Sequence, residues 1–165
     1  MNSNFNPLSP EELVSRINKI PRIRLAQLPT ALEYAPNISK ELNINLYIKR
    51  DDCTALAFGG NKTRHLEFIM AKTLSGEYDC ILTGAASQSN FCRQAVAAAN
   101  KLNLDSYLVL MHGVKGKLMQ GNFLLYNILG ANVDVVDGEN LEDIPKHLDK
   151  KYGELVKEGR KPLLI

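Results

Sequence analysis

Short apolar segments alternate with helix-type segments along most of this chain, and this alternation is the strongest constraint on its fold. The segments predicted to be strands are 44–49, 80–83, 106–111, 132–136 and 163–165. The segments predicted to be helices between them are 62–74, 89–102, 118–129 and 141–157. Short strands that are apolar almost throughout are typical of a parallel sheet with helices on both faces. We therefore predict an α/β fold: an open parallel sheet with helices on both faces, in three αβα layers.

Residues 1–43 lack this alternation. A helix is predicted to begin at Ser9, because Ser9 is a favoured N-cap, Pro10 suits a first turn and Glu12 completes a capping box. The rest of the predicted organisation is an extended, proline-rich stretch at 20–36, one helical turn at 39–42 and an α/β domain at 44–165.

The composition fits one globular domain. The 165 residues carry a net charge of +2, with 45% hydrophobic and 23% charged residues, so disordered chains and nucleic-acid binders are not favoured. No apolar run approaches the about 18 residues of a membrane span, and the polar residues 1–4 do not begin a signal peptide. The three cysteines show no metal-ligand spacing and are predicted to be free thiols. We therefore expect a cytoplasmic protein that binds neither membrane nor nucleic acid.

The loop at 51–62 precedes the first long helix and is the first candidate for chemistry. Ligands of open α/β sheets bind beyond the carboxyl ends of the strands, where such loops converge. Gly59 and Gly60 allow a tight turn, and Asn61 can cap the helix that follows. Lys62 then stands at the positive end of that helix, which favours a neutral, nucleophilic amine, as do the neighbouring cations 49, 50 and 64. The alternative is that the glycines and Asn61 only form a turn and that Lys62 is an ordinary solvated residue of the first helical turn.

The loop at 83–90 contains only small and hydrogen-bonding residues and follows the second predicted strand. Free backbone N–H groups at a helix N-terminus form an anion site, to which Ser89 and Asn90 could add donors. The alternative is plain N-capping by Ser87 or Ser89. Together the two loops predict an amine and an anion site on one sheet edge.

Other signals are weaker. His112 follows a predicted strand, whereas His65 and His147 lie on predicted helices, and a structural role is the simpler interpretation of each. The chain has no glycine-rich phosphate motif of the dinucleotide or P-loop type, which argues against a nucleotide-binding domain.

The ordered motifs of the chain resemble one enzyme family. They are Leu28-Pro29-Thr30-Ala31-Leu32-Glu33, Ile48-Lys49-Arg50-Asp51-Asp52, the run Gly59 to Glu67, Gln88-Ser89-Asn90 and Arg93-Gln94. This set is similar to that of the D-cysteine desulfhydrase and 1-aminocyclopropane-1-carboxylate (ACC) deaminase family. Those enzymes use pyridoxal 5'-phosphate (PLP) and have the fold type II, tryptophan-synthase-β-like architecture, whose small domain this chain would supply.

The resemblance implies a role for each matching residue. Lys62 would carry PLP, and Asn61 would hydrogen-bond its phenolic oxygen. The residues implied to hold the carboxylate of a small amino-acid substrate are Gln88, Ser89 and Asn90. Lys62 and Ser89 would be catalytic, and no metal is implied.

The resemblance also implies a larger protein. Enzymes of this family are roughly twice as long, and their second half carries the phosphate loop, the active-site tyrosine and the partner of the pyridine nitrogen. We therefore expect an N-terminal half in which 1–43 packs on an absent larger domain, inactive alone and homodimeric when full length. Phe91 stands where the family usually has histidine or glutamine, so β-elimination from D-cysteine and ring opening of ACC both remain open. A non-catalytic module that binds a small ligand or a partner is the third alternative.

Overall fold

A computed structural model describes residues 7–112, 118–136 and 141–165 of the chain. Its helices are α1 Pro10–Ile17, α2 Pro36–Leu42, α3 Lys62–Ile69, α4 Asn90–Lys101, α5 Gly121–Ile128 and α6 Ile144–Lys157. Its strands are β1 Leu32–Tyr34, β2 Tyr47–Lys49, β3 Cys80–Ala86, β4 Asp105–Met111, β5 Asn132–Val136 and β6 Pro162–Leu164.

Four of these strands form one parallel sheet in the order β5-β4-β3-β6. The central pair runs in register from Cys80 beside Asp105 to Ala86 beside Met111. Ile81 packs with α3 and α4 on one face, whereas the next residue, Leu82, packs against Leu155 of α6 on the other. Side chains of successive strand residues point to opposite faces, so both faces are buried under helices. The predicted three-layer α/β fold is confirmed.

The prediction that 44–49 begins this sheet is wrong. Residues Tyr47–Lys49 pair antiparallel with β1, in a separate two-stranded sheet, and all the residues of both strands are exposed. Apolar residues Ile44, Leu46 and Ile48 alternate with polar or aromatic ones, a pattern typical of half-exposed antiparallel strands. The buried strands of the parallel sheet are instead nearly continuous apolar runs.

Strand β3 extends past its predicted end at 83 to Ala86. The prediction places Gly84 in the loop at 83–90, but Gly84 pairs with Val109 inside the sheet. A Cβ at Gly84 would lie 2.7 Å from the Val109 carbonyl oxygen and 2.9 Å from Cγ2 of Ile144, so glycine is required by close packing under α6. The loop at this sheet edge therefore begins only at Ser87.

Helix α1 begins as predicted. The Ser9 hydroxyl accepts a hydrogen bond from the Glu12 backbone N–H, and the Glu12 carboxylate accepts one from the Ser9 N–H, both at 3.2 Å. Within the described ranges, none of the helices is long and apolar enough to cross a membrane.

Candidate active site

The loop before α3 is folded on itself. The hydroxyl of Thr54, a fully buried residue, donates to the carbonyl oxygen of Gly60 and accepts from its N–H, both at 2.9 Å. Gly59 has φ +74°, and a Cβ there would lie 1.8 Å from the Asp52 carbonyl oxygen. Only glycine fits this close approach of backbone to backbone. Helix α3 therefore starts from a compact loop.

Lys62 is the first residue of α3 and is half-buried. In the part of the chain that the structure describes, its ammonium group has no hydrogen-bond or ion-pair partner. Asn61 is the N-cap residue of α3, the position predicted for it, and it is exposed, but its side chain makes no capping hydrogen bond. Both side chains are consequently available to a ligand.

The cations that flank Lys62 in sequence have partners of their own. Arg64 forms two hydrogen bonds of 2.7 Å with the Asp51 carboxylate, which holds the pKa of Asp51 below its ordinary value. Arg50 binds both Glu33 and Asp52, and the hydrogen bonds from Arg50 lower the pKa of Asp52 to about 2. The charges of Arg64 and Arg50 are therefore offset by carboxylates, and Lys62 stands beside the amino terminus of α3.

The second loop connects β3 to α4. Ser87 is buried, and its N–H donates to the Met111 carbonyl oxygen at 2.8 Å. Ser89 is the N-cap of α4, and its hydroxyl accepts from the Cys92 N–H at 3.2 Å. The Tyr126 hydroxyl donates to the Ser89 carbonyl oxygen at 2.8 Å. Ser89 therefore caps α4, the simpler of the two roles predicted for it. Its half-buried hydroxyl lies at the N-terminus of this twelve-residue helix.

Gln88 and Asn90 face Asn122 at the start of α5. The Asn122 N–H donates to Oε1 of Gln88 at 2.9 Å, and its side-chain amide donates to the Gln88 carbonyl oxygen at 2.8 Å and to Oδ1 of Asn90 at 3.0 Å. Nε2 of Gln88 donates to the Gln120 carbonyl oxygen at 3.1 Å. The Gln88 amide is thus held by protein contacts, whereas Nδ2 of Asn90 has no partner among the described residues.

The structure links the two predicted loops through α4. Nη2 of Arg93 donates to the Gly59 carbonyl oxygen at 2.9 Å, and Nη1 donates to Oδ1 of Asn90 at 3.0 Å and to Oδ1 of Asn122 at 2.9 Å. One guanidinium therefore contacts the lysine loop, the start of α4 and the start of α5. The start of α3 accordingly lies beside the carboxyl edge of the sheet, where α4 begins.

Sequence interpretation gave no site role to Arg93, Gln94 or Asn122. The available signal was the polar residue Gln94 before the apolar run Ala95 to Ala99, because a polar side chain on a buried helix face must find a partner. Phe91 is half-buried and packs against the core between α3 and α4. His112 packs edge-on against Phe123, with ring centroids 5.6 Å apart.

Ligands of open parallel α/β sheets bind at the carboxyl edge. Here that edge has the N-terminus of α4 and lies beside Lys62, whose side chain has no partner within the described ranges. Comparison with known proteins gives the family. The chain belongs to the pyridoxal-phosphate dependent enzyme family, which it matches over residues 23–165. The resemblance found in the motifs is thereby confirmed, and PLP is the cofactor of the family.

Two relatives carry the two names that the motifs suggested. A Pyrococcus horikoshii protein provisionally named 1-aminocyclopropane-1-carboxylate deaminase is 39% identical over 155 residues, which cover 93% of this chain and 46% of that protein. A D-cysteine desulfhydrase of Klebsiella pneumoniae is 36% identical over 156 residues, covering 92% of this chain and 47% of that protein. The chain therefore spans about half the length of the curated relatives it matches.

Solved structures agree on the fold. The crystal structure of an ACC deaminase homologue has a TM-score of 0.86 and 39% identity, covering 96% of this chain and 47% of that one. A threonine deaminase isoform from Solanum lycopersicum has a TM-score of 0.68 at 21% identity, covering 94% of this chain and 40% of that one. The second likeness shows the shared fold alone.

Proposed function

We propose that this chain is the lysine-bearing half of a PLP-dependent enzyme that eliminates sulfide from D-cysteine. The observation that carries the proposal is the state of Lys62, a half-buried amine without a partner in the described residues, at the start of a helix tied to the Ser89 loop. A covalent bond to a cofactor aldehyde requires a lysine that can lose its proton, and an ion pair would oppose that loss by stabilising the ammonium form. Family membership independently supports PLP as that cofactor.

The residues at the site fit the cofactor and an amino-acid substrate. Lys62 would hold PLP, and the side-chain amide of Asn61, which has no partner in the part of the chain that the structure describes, would donate to its phenolic oxygen. The bound cofactor supplies an electron sink next to the substrate amino group. The first N–H groups of α4 and Nδ2 of Asn90 would bind the substrate carboxylate, since a helix N-terminus favours an anion. Lys62 Nζ would move the proton, with the Ser89 hydroxyl beside the reacting carbons.

The contacts of Gln88 refine its predicted role. Its side-chain amide already binds Asn122 and the Gln120 carbonyl oxygen, so Gln88 would shape the carboxylate site through its backbone and by orienting α5. Ser89 and Asn90 would then be the residues of this loop whose side chains contact the substrate.

The overall reaction would convert D-cysteine and water to pyruvate, ammonia and hydrogen sulfide. A second candidate is ACC deamination, in which ACC and water give 2-oxobutanoate and ammonia. The relatives from Pyrococcus favour this candidate by name, whereas those from Klebsiella favour the first. Phe91 packs into the α3–α4 core, so it is not the residue that we expect to choose between the two substrates.

We further propose that a second domain completes the site in a longer protein. It would supply the phosphate loop and the partner of the pyridine nitrogen, as the coverage of the relatives supports. Residues 1–43 would pack against it. Leu13, Val14 and Ile17 on α1 are 48%, 56% and 36% exposed, an apolar face that such a domain would cover. The full-length protein would be a homodimer that acts on small amino acids.

The test is a product assay on a longer protein that contains this chain, with D-cysteine and ACC as separate substrates. Pyruvate and sulfide from D-cysteine, abolished by Lys62→Ala, are the expected result. If ACC gives 2-oxobutanoate and D-cysteine gives no product, the protein is an ACC deaminase, the second candidate. A Lys62→Ala variant as active as the wild type would overturn the lysine's role, and no product from either substrate would favour a non-catalytic module.

A further inference from the structure

Gln94 is a fully buried polar residue that points at the lysine loop. Its Oε1 accepts two hydrogen bonds of 2.7 Å from Thr63, one from the backbone N–H and one from the hydroxyl. Its Nε2 is buried and has no partner among the described residues. An apolar side chain could fill the same space without an unsatisfied donor. The glutamine is therefore suited to orienting Thr63, the residue after Lys62, more than to filling the core.

Gly60 lets the loop approach Gln94 directly. A Cβ at Gly60 would lie 2.4 Å from Nε2 of Gln94, and φ at this position is +132°. Any other residue would meet the amide and would be strained in this conformation. The loop before α3 therefore rests on the side chain of Gln94.

Arg93, the preceding residue of α4, holds the other end of the same loop. Its Nη2 donates to the Gly59 carbonyl oxygen at 2.9 Å, and its Nη1 donates to Oδ1 of Asn90 at 3.0 Å. Lys62 lies between the two anchored positions, Gly59 and Thr63. Two consecutive α4 side chains thus fix the backbone on both sides of the lysine.

We propose that Arg93 and Gln94 are positioning residues, which orient Lys62 toward the Ser89 loop by anchoring Gly59 and Thr63 to α4. The inference rests on the proposed role of Lys62 as the residue that binds PLP. Because the same helix carries the anchors and begins at the Ser89 cap, a movement of α4 would carry both halves of the site together. The glycines of the loop would then determine its backbone conformation, and α4 would determine where the loop places Lys62.

The test compares Gln94→Met with Gln94→Glu. Methionine has a similar length but accepts no strong hydrogen bond, whereas glutamate keeps an oxygen that Thr63 can donate to. Asn100→Ala is the matched control, because Nδ2 of Asn100 also links α4 to a backbone carbonyl, that of Leu129, at 2.7 Å, outside the lysine loop. Each protein is treated with PLP and borohydride, and mass spectrometry gives the ratio of labelling at Lys62 to labelling at the exposed Lys150. Hydrogen exchange of the Thr63 amide is measured in parallel.

In Gln94→Met we expect hydrogen exchange of the Thr63 amide to accelerate about tenfold, because the amide loses one hydrogen bond. The ratio of labelling at Lys62 to labelling at Lys150 should fall toward the value for two exposed lysines. Gln94→Glu should restore the ratio, and Asn100→Ala should leave it unchanged. Unaltered Thr63 exchange and an unaltered ratio in folded Gln94→Met would overturn the inference. A ratio that falls equally in both Gln94 variants while both stay folded would also overturn it, because Gln94→Glu keeps the oxygen that accepts from Thr63.

Failure of the proposed function has a different signature. If the wild-type chain shows no preference for Lys62, the assignment of this lysine as the cofactor residue fails. The proposed anchoring of the loop by Gln94 is then tested by hydrogen exchange of the Thr63 amide alone. Acceleration in Gln94→Met but not in Asn100→Ala supports it, and equal exchange in all three proteins contradicts it.

Discussion

Arg22 and Glu67 form an ion pair that joins the N-terminal segment to α3. Nε of Arg22 donates to Oε2 of Glu67 at 2.8 Å, and Oε1 of the same carboxylate accepts the backbone N–H groups of Leu25 and Ala26 at 2.9 and 3.0 Å. Glu67 is fully buried, so each of these contacts replaces water. The extended segment that precedes β1 is thereby fixed to the helix that begins with Lys62.

We predict that Glu67→Gln lowers the free energy of unfolding by about 2 kcal/mol, since an amide N–H₂ would face Arg22 in place of an anion. Urea denaturation measures the change, and Glu41→Gln, at an exposed position on α2, serves as the control. A Glu67→Gln protein as stable as the control would show that the ion pair does not fix the segment.

The same pair predicts a dependence on pH. Burial raises the pKa of Glu67, but hydrogen bonds from Ala26, Leu25 and Arg22 outweigh it and bring the pKa below its ordinary value of 4.5. A carboxyl with a lowered pKa in the folded protein contributes stability that is complete above 4.5 and is lost as the pH falls through the folded value. The difference in unfolding free energy between the wild type and Glu67→Gln should therefore shrink as the pH drops below 4.5. A difference that is constant from pH 7 to the acid limit would contradict this.

The close packing at Gly59 predicts a large effect of one methyl group. Gly59 and Gly76 have nearly the same φ, +74° and +72°, but a Cβ would meet the Asp52 carbonyl oxygen at 1.8 Å in the first case and nothing within 4 Å in the second. Gly76→Ala should cost about 1 kcal/mol of backbone strain. Gly59→Ala should cost at least about 2 kcal/mol more, because backbone atoms must move. Thermal unfolding of both variants measures the difference, and equal costs would refute the loop geometry.

The three thiols should differ in reactivity. Burial raises the pKa of Cys80 to about 12 and that of Cys92 to about 11, whereas Cys53 is exposed. The thiolate is the reactive form, so the native chain should show one fast thiol with Ellman's reagent. Cys53→Ser should remove the fast phase and leave the slow one. Two fast thiols in the folded protein would contradict the burial of Cys80 or Cys92.

Much of the parallel sheet was predictable from the sequence. Strands β3, β4 and β5 are short apolar runs between helical patterns, and β5 was predicted with its observed bounds. Local patterns fail where the partner is distant. The alternation in 44–49 indicates a half-exposed antiparallel strand, but it does not identify 32–34 as the partner. Gly84 is typical of a loop, and only the packing of α6 on it explains a glycine inside the strand.

The candidate site also has residues that local sequence features indicate and residues that only the fold reveals. Lys62 and Ser89 were identified because they stand at helix starts, a local feature. Asn122 was missed because its hydrogen bonds reach Gln88 and Asn90 across more than thirty residues, which no spacing rule indicates. Arg93 and Gln94 belonged to a recognised motif, but only the fold shows that they face the lysine loop. The domain boundary near 43, the compartment and the homodimer stay predictions.

The most direct test of the central claim is the site at which the wild-type chain binds PLP. The chain is mixed with substoichiometric PLP and reduced with borohydride, and the pyridoxyl group is located by peptide mass spectrometry. Lys62 should be labelled well above Lys146 and Lys150, whose side chains are 81% and 78% exposed. Lys62→Arg should lose the label without loss of folding. Labelling at Lys62 no greater than at these exposed lysines would contradict the account.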